Sequence, residues 1–361
     1  MDTIQQNTLY LTTPGSYIAR DHLTLLVEVP VHPEGLLPAE RTRKNAESWR
    51  KLSIPIHHLE SICVFGQSTI SSPALDLCWE NGVAVNYLNE FGRLHARMTG
   101  VADTSVTLRR TQFRAADIPE KCASISRQMI AGKLQNSRNS LLRAARETDS
   151  VEDSQQLTAV TDALARQIRD LPSINGTDSL RGAEGMGSNL YFMTFSLMLK
   201  QQRAEFSFST RSRRPPRDRI NCLLSFLYAL VRHDCVSALT AAGLDPFVGF
   251  LHVDRPNRPS LALDLMEEFR PWLADRLAIT LINRHQIGPE HFRLRDGGAV
   301  EFTDAGRKLV IKAWQERKQE KLNHPLLDQT LRIARLPFIQ ARILARHLRN
   351  DIPAYIPLVP K

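Results

Sequence analysis

Two short segments, far apart in the chain, carry side chains able to ligate a metal ion in otherwise apolar settings. One is Arg181-Gly182-Ala183-Glu184-Gly185-Met186-Gly187. The other runs Gly249-Phe250-Leu251-His252 and continues through Arg258-Pro259-Ser260 to Leu263-Asp264-Leu265-Met266-Glu267-Glu268. One Glu, one His and one further acid do not fill a coordination sphere, which suits a divalent ion that must also hold substrate oxygens. With a net charge of +9 and a pI near 9.5, the chain favours an anionic partner, and a phosphate backbone would supply such oxygens.

On a helix beginning at Ser260, a rotation of about 100° per residue puts Ser260, Asp264 and Glu267 on one narrow side. Leu261, Leu263, Leu265, Met266 and Phe269 cover most of the remaining circumference. Two acids at i and i+3 on a largely buried helix repel and lose solvation unless a cation lies between them. A metal ion can be that cation, and so can an Arg or Lys partner, the plainer arrangement for an isolated acid pair. Taken singly, His252 reads as a hydrogen-bonded structural residue closing an apolar run. Glu184 alone could be an acid favoured by a helix N-terminus, and the glycines around it would allow close backbone approach.

The basic side chains are more diffuse. Arg203, Arg211, Arg213, Arg214, Arg217 and Arg219 crowd one loop with Pro215 and Pro216, a composition suited to phosphate contacts. Arg332, Arg335, Arg342, Arg346 and Arg349 recur at helical spacing near the C-terminus, equally a solvated face. His57-His58 reads as surface sequence.

These residues need a scaffold, and the pattern divides it in two. At 361 residues the chain exceeds the usual single core. Thr8–Leu11 and Leu23–Val29 flank a Pro14-Gly15 turn in a hairpin-like pattern. Ile54–Ile56, Ser61–Phe65 and Val83–Leu88 are further short strands, with a helix over Ser72–Trp79 and a turn at 89–93 into a last strand ending near Thr99-Gly100. From about Thr111 the period is helical: 130–145, 151–170, 182–200, 220–242, 260–284, 304–320 and 328–349, with Pro271 kinking or restarting the fifth of these segments. The tail Pro353–Pro360 cannot continue a helix and forms a docked or mobile extension. The expectation is an α+β chain: a small N-terminal mostly-β domain at 1–104, then a larger all-helical catalytic domain at 105–361.

The five cysteines (Cys63, Cys78, Cys122, Cys222, Cys235) form no CxxC pair or zinc spacing, as expected of reduced, packed thiols in a cytoplasmic protein. The N-terminal residues lack the pattern of a secretory signal, and the apolar run Leu223–Val231 is too short to span a bilayer. No membrane association is expected.

In order along the chain, these segments resemble the CRISPR-associated integrase of spacer acquisition, the Cas-one family, and are most like its type I (I-C-like) members. The resemblance rests on Arg181–Gly185, Arg213–Ser225, Gly243–His252, Arg258–Pro271 and Gln340–Arg349, with Val64-Phe65-Gly66 compatible, and covers nearly the whole chain. It implies metal ligands at Glu184, His252 and Glu267, with Asp264 a supporting or alternative ligand and Glu268 a minor candidate. It also implies catalysis by Glu184, His252 and Glu267 with Mg²⁺ or Mn²⁺, and DNA contacts from Arg211, Arg213, Arg214, Arg217 and Arg219. Relatives often carry a basic residue after the Glu-Gly pair, whereas Gly187, Ser188 and Asn189 are neutral here, so a phosphate contact there is in doubt.

The activity implied is metal-assisted transesterification, inserting a protospacer fragment into a CRISPR repeat, with nuclease action on branched DNA. The partners implied are DNA, a second copy joined through the β domain to form a homodimer, and a small ferredoxin-like adaptation protein. Two other readings compete. A non-catalytic basic nucleic-acid-binding scaffold would pair the acids with Arg, and a helical protein-interaction module would carry incidental charge.

Overall fold

A computed structural model describes residues 8–33, 43–89, 94–98, 106–212 and 215–360. The chain divides into two units, Met1–Asp103 and Thr104–Lys361.

The first unit contains two four-stranded sheets. Strands β1 (Thr8–Leu11), β5 (Ser61–Phe65), β7 (Ala84–Leu88) and β8 (Leu94–Met98) form one, in the order β1-β5-β7-β8. β5 lies between parallel neighbours, and the sequence Ser-Ile-Cys-Val-Phe is buried on both faces, as an internal parallel strand requires. The other sheet runs β4 (Ser48–Pro55), β3 (Thr24–Val31), β2 (Tyr17–Asp21) and β6 (Thr69–Ile70). Helix α1 (Ser72–Glu80) starts where the Ser71 hydroxyl accepts the Ala74 N–H at 3.3 Å, with Pro73 in its first turn.

The expected pairing of the first two strands is not the one formed. The hairpin is β2–β3, with Tyr17 opposite Glu28, while β1 joins β5 in the other sheet. Residues Tyr17–Asp21 carry charge at one end and alternate weakly, so their strand was not evident from apolar content. The turn expected at 89–93 and the strand end near Thr99-Gly100 lie largely outside the described residues, as do Arg213 and Arg214.

The second unit is mostly helical: α2 (Val106–Ala116), α3 (Pro119–Glu147), α4 (Val151–Asp170), α5 (Thr177–Met193), α6 (Arg219–Ala241), α7 (Ser260–Met266), α8 (Arg276–Asn283), α9 (Asp304–Gln319) and α10 (Leu336–Leu348). It is not all-helical. Two hairpins, β9 (Phe292–Leu294) with β10 (Val300–Phe302) and β11 (Lys321–His324) with β12 (Gln329–Arg332), interrupt it. The second hairpin displaces the start of the last helix to Leu336. Between α7 and α8 the chain makes a π-helical turn over Arg270–Asp275, with Pro271 near its beginning, so the segment expected as one kinked helix is three pieces. Asp218, Ser150 and Thr303 cap α6, α4 and α9 through side-chain oxygens.

Among the described residues α6 alone is long and apolar enough to cross a membrane, but it is largely buried inside this unit, as a core helix is. It extends well beyond the apolar run Leu223–Val231. All five cysteines are buried free thiols.

The C-terminal tail docks. Tyr355 and Leu358 are buried, and the Asn136 amide on α3 donates to the carbonyls of Glu268 and Leu358, both at 2.8 Å. The Tyr355 hydroxyl and the Leu358 N–H each donate to Glu268 at 2.9 Å. A side chain at Gly132 would collide with Pro357, so α3 and the tail touch at a position that tolerates only glycine.

Candidate metal centre

Helices α3 and α5 and the region from Gly249 to Arg270 bring the candidate side chains together. Glu184 lies near the middle of α5 and not in its first turn. Gly187, one turn later, makes its position workable: a Cβ there would overlap Leu134 of α3 and the Gln167 amide oxygen. Gly182 and Gly185 face open space, so the close approach expected of this glycine cluster belongs to Gly187 alone. The Ser188 hydroxyl donates to Glu184 Oε1 at 2.7 Å, which gives this neutral residue a role in holding the carboxylate.

Asp264 faces the loop before its helix. Oδ2 accepts the N–H of Phe250 at 2.7 Å and of Leu251 at 3.0 Å, and Oδ1 accepts the His252 N–H at 2.9 Å. Oδ1 also lies 2.6 Å from His252 Nδ1. Gly249 permits this wrap, since a Cβ there would stand 2.8 Å from Ser260 and 2.9 Å from Asp264 Oδ2. Arg181 holds the same loop by donating to the Leu251 carbonyl at 2.8 Å. With both oxygens of Asp264 occupied, the geometry departs from the expectation of a direct metal ligand. A carboxylate accepting from Nδ1–H fixes the tautomer whose Nε2 lone pair faces away from it, the usual outer support of a metal-bound histidine.

Nε2 of His252 lies 4.0 Å from Glu267 Oε1. Glu267 follows the last residue of α7 and is buried, with Arg270 Nη2 3.1 Å from Oε1 and Lys133 Nζ 2.6 Å from Oε2. Burial opposes its ionisation, but the charges of Arg270 and Lys133 outweigh burial and hold its pKa down to about 2. Its neighbour Glu268 points the other way, into the tail. There burial pushes the carboxyl up to about 8 despite hydrogen bonds from Leu358, Tyr355 and Gln340, so Glu268 is unsuited to the ligand set.

The residue that sequence reasoning missed is Lys133. Its side chain is 7% exposed, and its ammonium contacts Glu184 Oε1 as well as Glu267 Oε2. The signal was present: Ser126, Lys133, Asn136 and Ser137 form a polar set on the buried side of α3, where an amphipathic helix should be apolar. Arg270, three residues after Glu267 and stacked on Tyr228 at 4.9 Å, was also passed over.

Two carboxylates and an imidazole nitrogen are a donor set that fits Mg²⁺ or Mn²⁺. The charge at this point supports the fit: Lys133 stands between the buried Glu267 carboxylate and Glu184, so the two acids already require a cation there. Among the described residues no three acid, His or Cys side chains already converge as a cage, because Lys133 stands between the two glutamates. His252 also lines an open pocket of about 440 Å³ with Phe113, Thr177, Arg181, Gly249, Val253 and Asp254.

The proposed DNA-contact arginines separate. Arg211 turns inward, donating to Asn221 Oδ1 at 2.5 Å and Ser225 Oγ at 3.1 Å and stacking on Tyr228. Arg203 pairs with Asp153 at 2.7 Å. Arg219 is half-buried and donates to the Glu205 carbonyl, while Arg217 is exposed. Arg342, Arg346 and Arg349 are exposed along α10, and His57 and His58 lie on the surface of the first unit.

Residues 9–316 match the family described as "CRISPR associated protein Cas1". The chain is 42% identical to the CRISPR-associated endonuclease Cas1 2 of Rhodospirillum rubrum, covering 97% of each protein. It is also 42% identical to the CRISPR-associated endonuclease Cas1 1 of Moorella thermoacetica, covering 98% of each. Among solved structures, a casposase bound to integration product aligns with a TM-score of 0.80 at 21% identity, covering 98% of this chain and 93% of that one. A Cas1 protein from Thermotoga maritima aligns with a TM-score of 0.77 at 23% identity, over 95% and 97%. The Cas6-RT-Cas1–Cas2 complex gives a TM-score of 0.78 at 22% identity, over all of this chain and 37% of that one. The structural likenesses concern the fold, while the family match and the nearly end-to-end sequence identity decide kinship: the chain belongs to the CRISPR-associated Cas1 family, the endonucleases of CRISPR adaptation.

Proposed function

We propose that this chain is a metal-dependent DNA integrase and endonuclease, joining a short DNA fragment to a CRISPR repeat by phosphodiester transesterification. The reading is carried by one observation: in a basic chain, Lys133 bridges the Glu184 and Glu267 carboxylates, and Glu267 Oε1 lies 4.0 Å from Nε2 of an Asp264-oriented His252. Glu184, Glu267 and His252 Nε2 would hold Mg²⁺ or Mn²⁺. When bound, that ion supplies Lewis acidity toward a phosphate oxygen and an attacking 3′-hydroxyl. Asp264 keeps Nε2 free and aimed, Arg181 holds the loop carrying His252, and Arg270 keeps Glu267 ionised at neutral pH.

The test is strand transfer of a labelled DNA fragment into a repeat, with Mn²⁺ or Mg²⁺. Glu184→Ala, His252→Ala and Glu267→Ala should each reduce the rate by about a hundredfold or more, beyond the loss typical of an outer-shell partner. DNA affinity should stay near wild type; Glu267→Ala also strands the Lys133 and Arg270 charges and should lose stability, so Glu267→Gln is assayed beside it. Survival of strand transfer in all three variants would remove the assignment.

The pairing of Glu267 with both Lys133 and Arg270 favours a second reading, a nucleic-acid scaffold whose acids are merely neutralised. That protein would bind DNA in a salt-dependent way and yield no product at any divalent-metal concentration.

As partners we propose DNA, a second copy and a small ferredoxin-like adaptation protein. Strand β4 supports the homodimer: among the described residues it pairs only with β3, and it is exposed along most of its length, leaving an edge for another chain. Light scattering after size exclusion, with and without the small partner, should give a dimer and then a larger complex; monomers alone in both runs would refute the assembly.

A further inference from the structure

Lys133 does what the expected ion would do. Two carboxylates facing one water-poor point repel, and the pair is tolerable only with positive charge between them. The Lys133 ammonium contacts Glu184 Oε1 and lies 2.6 Å from Glu267 Oε2; these two acids are its ion-pair partners among the described residues. A divalent ion drawn to the same oxygens would stand within hydrogen-bond reach of that ammonium, and like charges so close in a pocket of low dielectric repel strongly.

Arg270 cannot take up this repulsion by moving. Its guanidinium is pinned to Glu267 Oε1 and stacked on Tyr228. The backbone under Lys133 cannot shift readily either, because Gly132 abuts Pro357 and Asn136 holds the tail. What remains mobile is the four-carbon stem of the lysine itself. Its way out is past Glu184, whose side chain is 25% exposed against 2% for Glu267.

We propose that Lys133 is a resident counter-cation of the metal site: it holds the two glutamates in place when no ion is bound, competes with the divalent ion for them, and is expelled when the ion enters. The proposal rests on the assignment of Glu184 and Glu267 as ligands and adds a residue that sets how tightly the ion is held.

The probe is Mn²⁺ alone, with binding followed by the electron paramagnetic resonance signal of the free ion, in full-length wild type, Glu184→Gln, Lys133→Met and Lys133→Arg. The methionine variant keeps the length of the stem and removes the charge. Its Mn²⁺ dissociation constant should fall by about tenfold or more, a change readily resolved as binding free energy. The arginine variant, still charged, should bind no tighter than wild type. In EDTA the methionine variant should melt at lower temperature than wild type, and Mn²⁺ should raise its melting temperature by the larger step. Unchanged or weaker Mn²⁺ binding by Lys133→Met overturns the proposal.

If Lys133→Met does not fold, the wild-type protein decides. Acylation of Lys133, read by mass spectrometry, should accelerate when Mn²⁺ is added, and an unaltered rate overturns the proposal. Failure of the ligand assignment looks different: Glu184→Gln would then bind Mn²⁺ as wild type does.

Discussion

At the scale of single residues, Asp264 matters through what it denies to His252. With Nδ1–H directed at Asp264, the ring presents Nε2 toward Glu267. Asp264→Asn should lower strand transfer by about 10- to 100-fold, the range for an outer partner of a ligating histidine. Its circular dichroism should match wild type, because an amide oxygen can still accept some of the loop N–H groups. A rate equal to wild type would show that the carboxylate only ties the loop. A second buried acid makes a prediction about pH. Burial pushes Asp275 up to about 6, against the hydrogen bond from Tyr228. A folded-state pKa above the unfolded one means a contribution to stability that is complete below about 3.8 and lost as pH rises toward about 6. Asp275→Asn, which keeps an acceptor for Tyr228, should therefore match wild type near pH 4. It should be more stable at pH 7.5 by an amount on the order of 1 kcal/mol. Urea unfolding at the two pH values checks this, and equal differences at both would contradict it.

At the scale of elements, α5 reaches α3 because of a glycine whose neighbours look equivalent in the sequence. Gly187→Ala should destabilise by about 1–3 kcal/mol through overlap with Leu134, and should reduce strand transfer by shifting Glu184. Gly185→Ala, with open space around it, should stabilise the helix by about 0.5–1 kcal/mol. Denaturant midpoints distinguish them, and the same sign for both would refute the packing account. Most helices were legible because apolar period and punctuation are local properties, whereas Glu184, His252 and Glu267 were singled out as ligands by the family resemblance and not by any local signal. Strand partners were not, since β1 pairs with a strand some fifty residues away and nothing in Thr8–Leu11 encodes that choice. Arg211 was misjudged for a related reason: its inward turn depends on Asn221 and Tyr228, which only the folding of α6 brings beside it. Lys133 was hidden because a charged residue on an apolar face has no visible partner until a second helix arrives.

At the scale of the whole molecule, the excess of positive charge has to be located before it explains anything. Arg217 is exposed, whereas Arg211 is built into the interior. Arg217→Ala should weaken DNA binding and lower the slope of log affinity against log salt by about 0.9 for each phosphate the protein no longer neutralises. Arg211→Ala should instead lower the unfolding midpoint. Fluorescence anisotropy over a range of salt, together with thermal melts, checks the pair. An unchanged slope for Arg217→Ala would move the phosphate-binding role elsewhere, with exposed Arg342, Arg346 and Arg349 the next to examine.

The docked tail has a practical side. Leu358 and Tyr355 hold Glu268, which is joined by one peptide bond to Glu267, so the last turn of chain acts directly on the residue beside a proposed ligand. An affinity tag or fusion partner attached after Lys361 would pull on that handle, and a tagged preparation is expected to lose activity with every proposed ligand intact. For purification, a cleavable tag on the strand-rich unit is the safer choice.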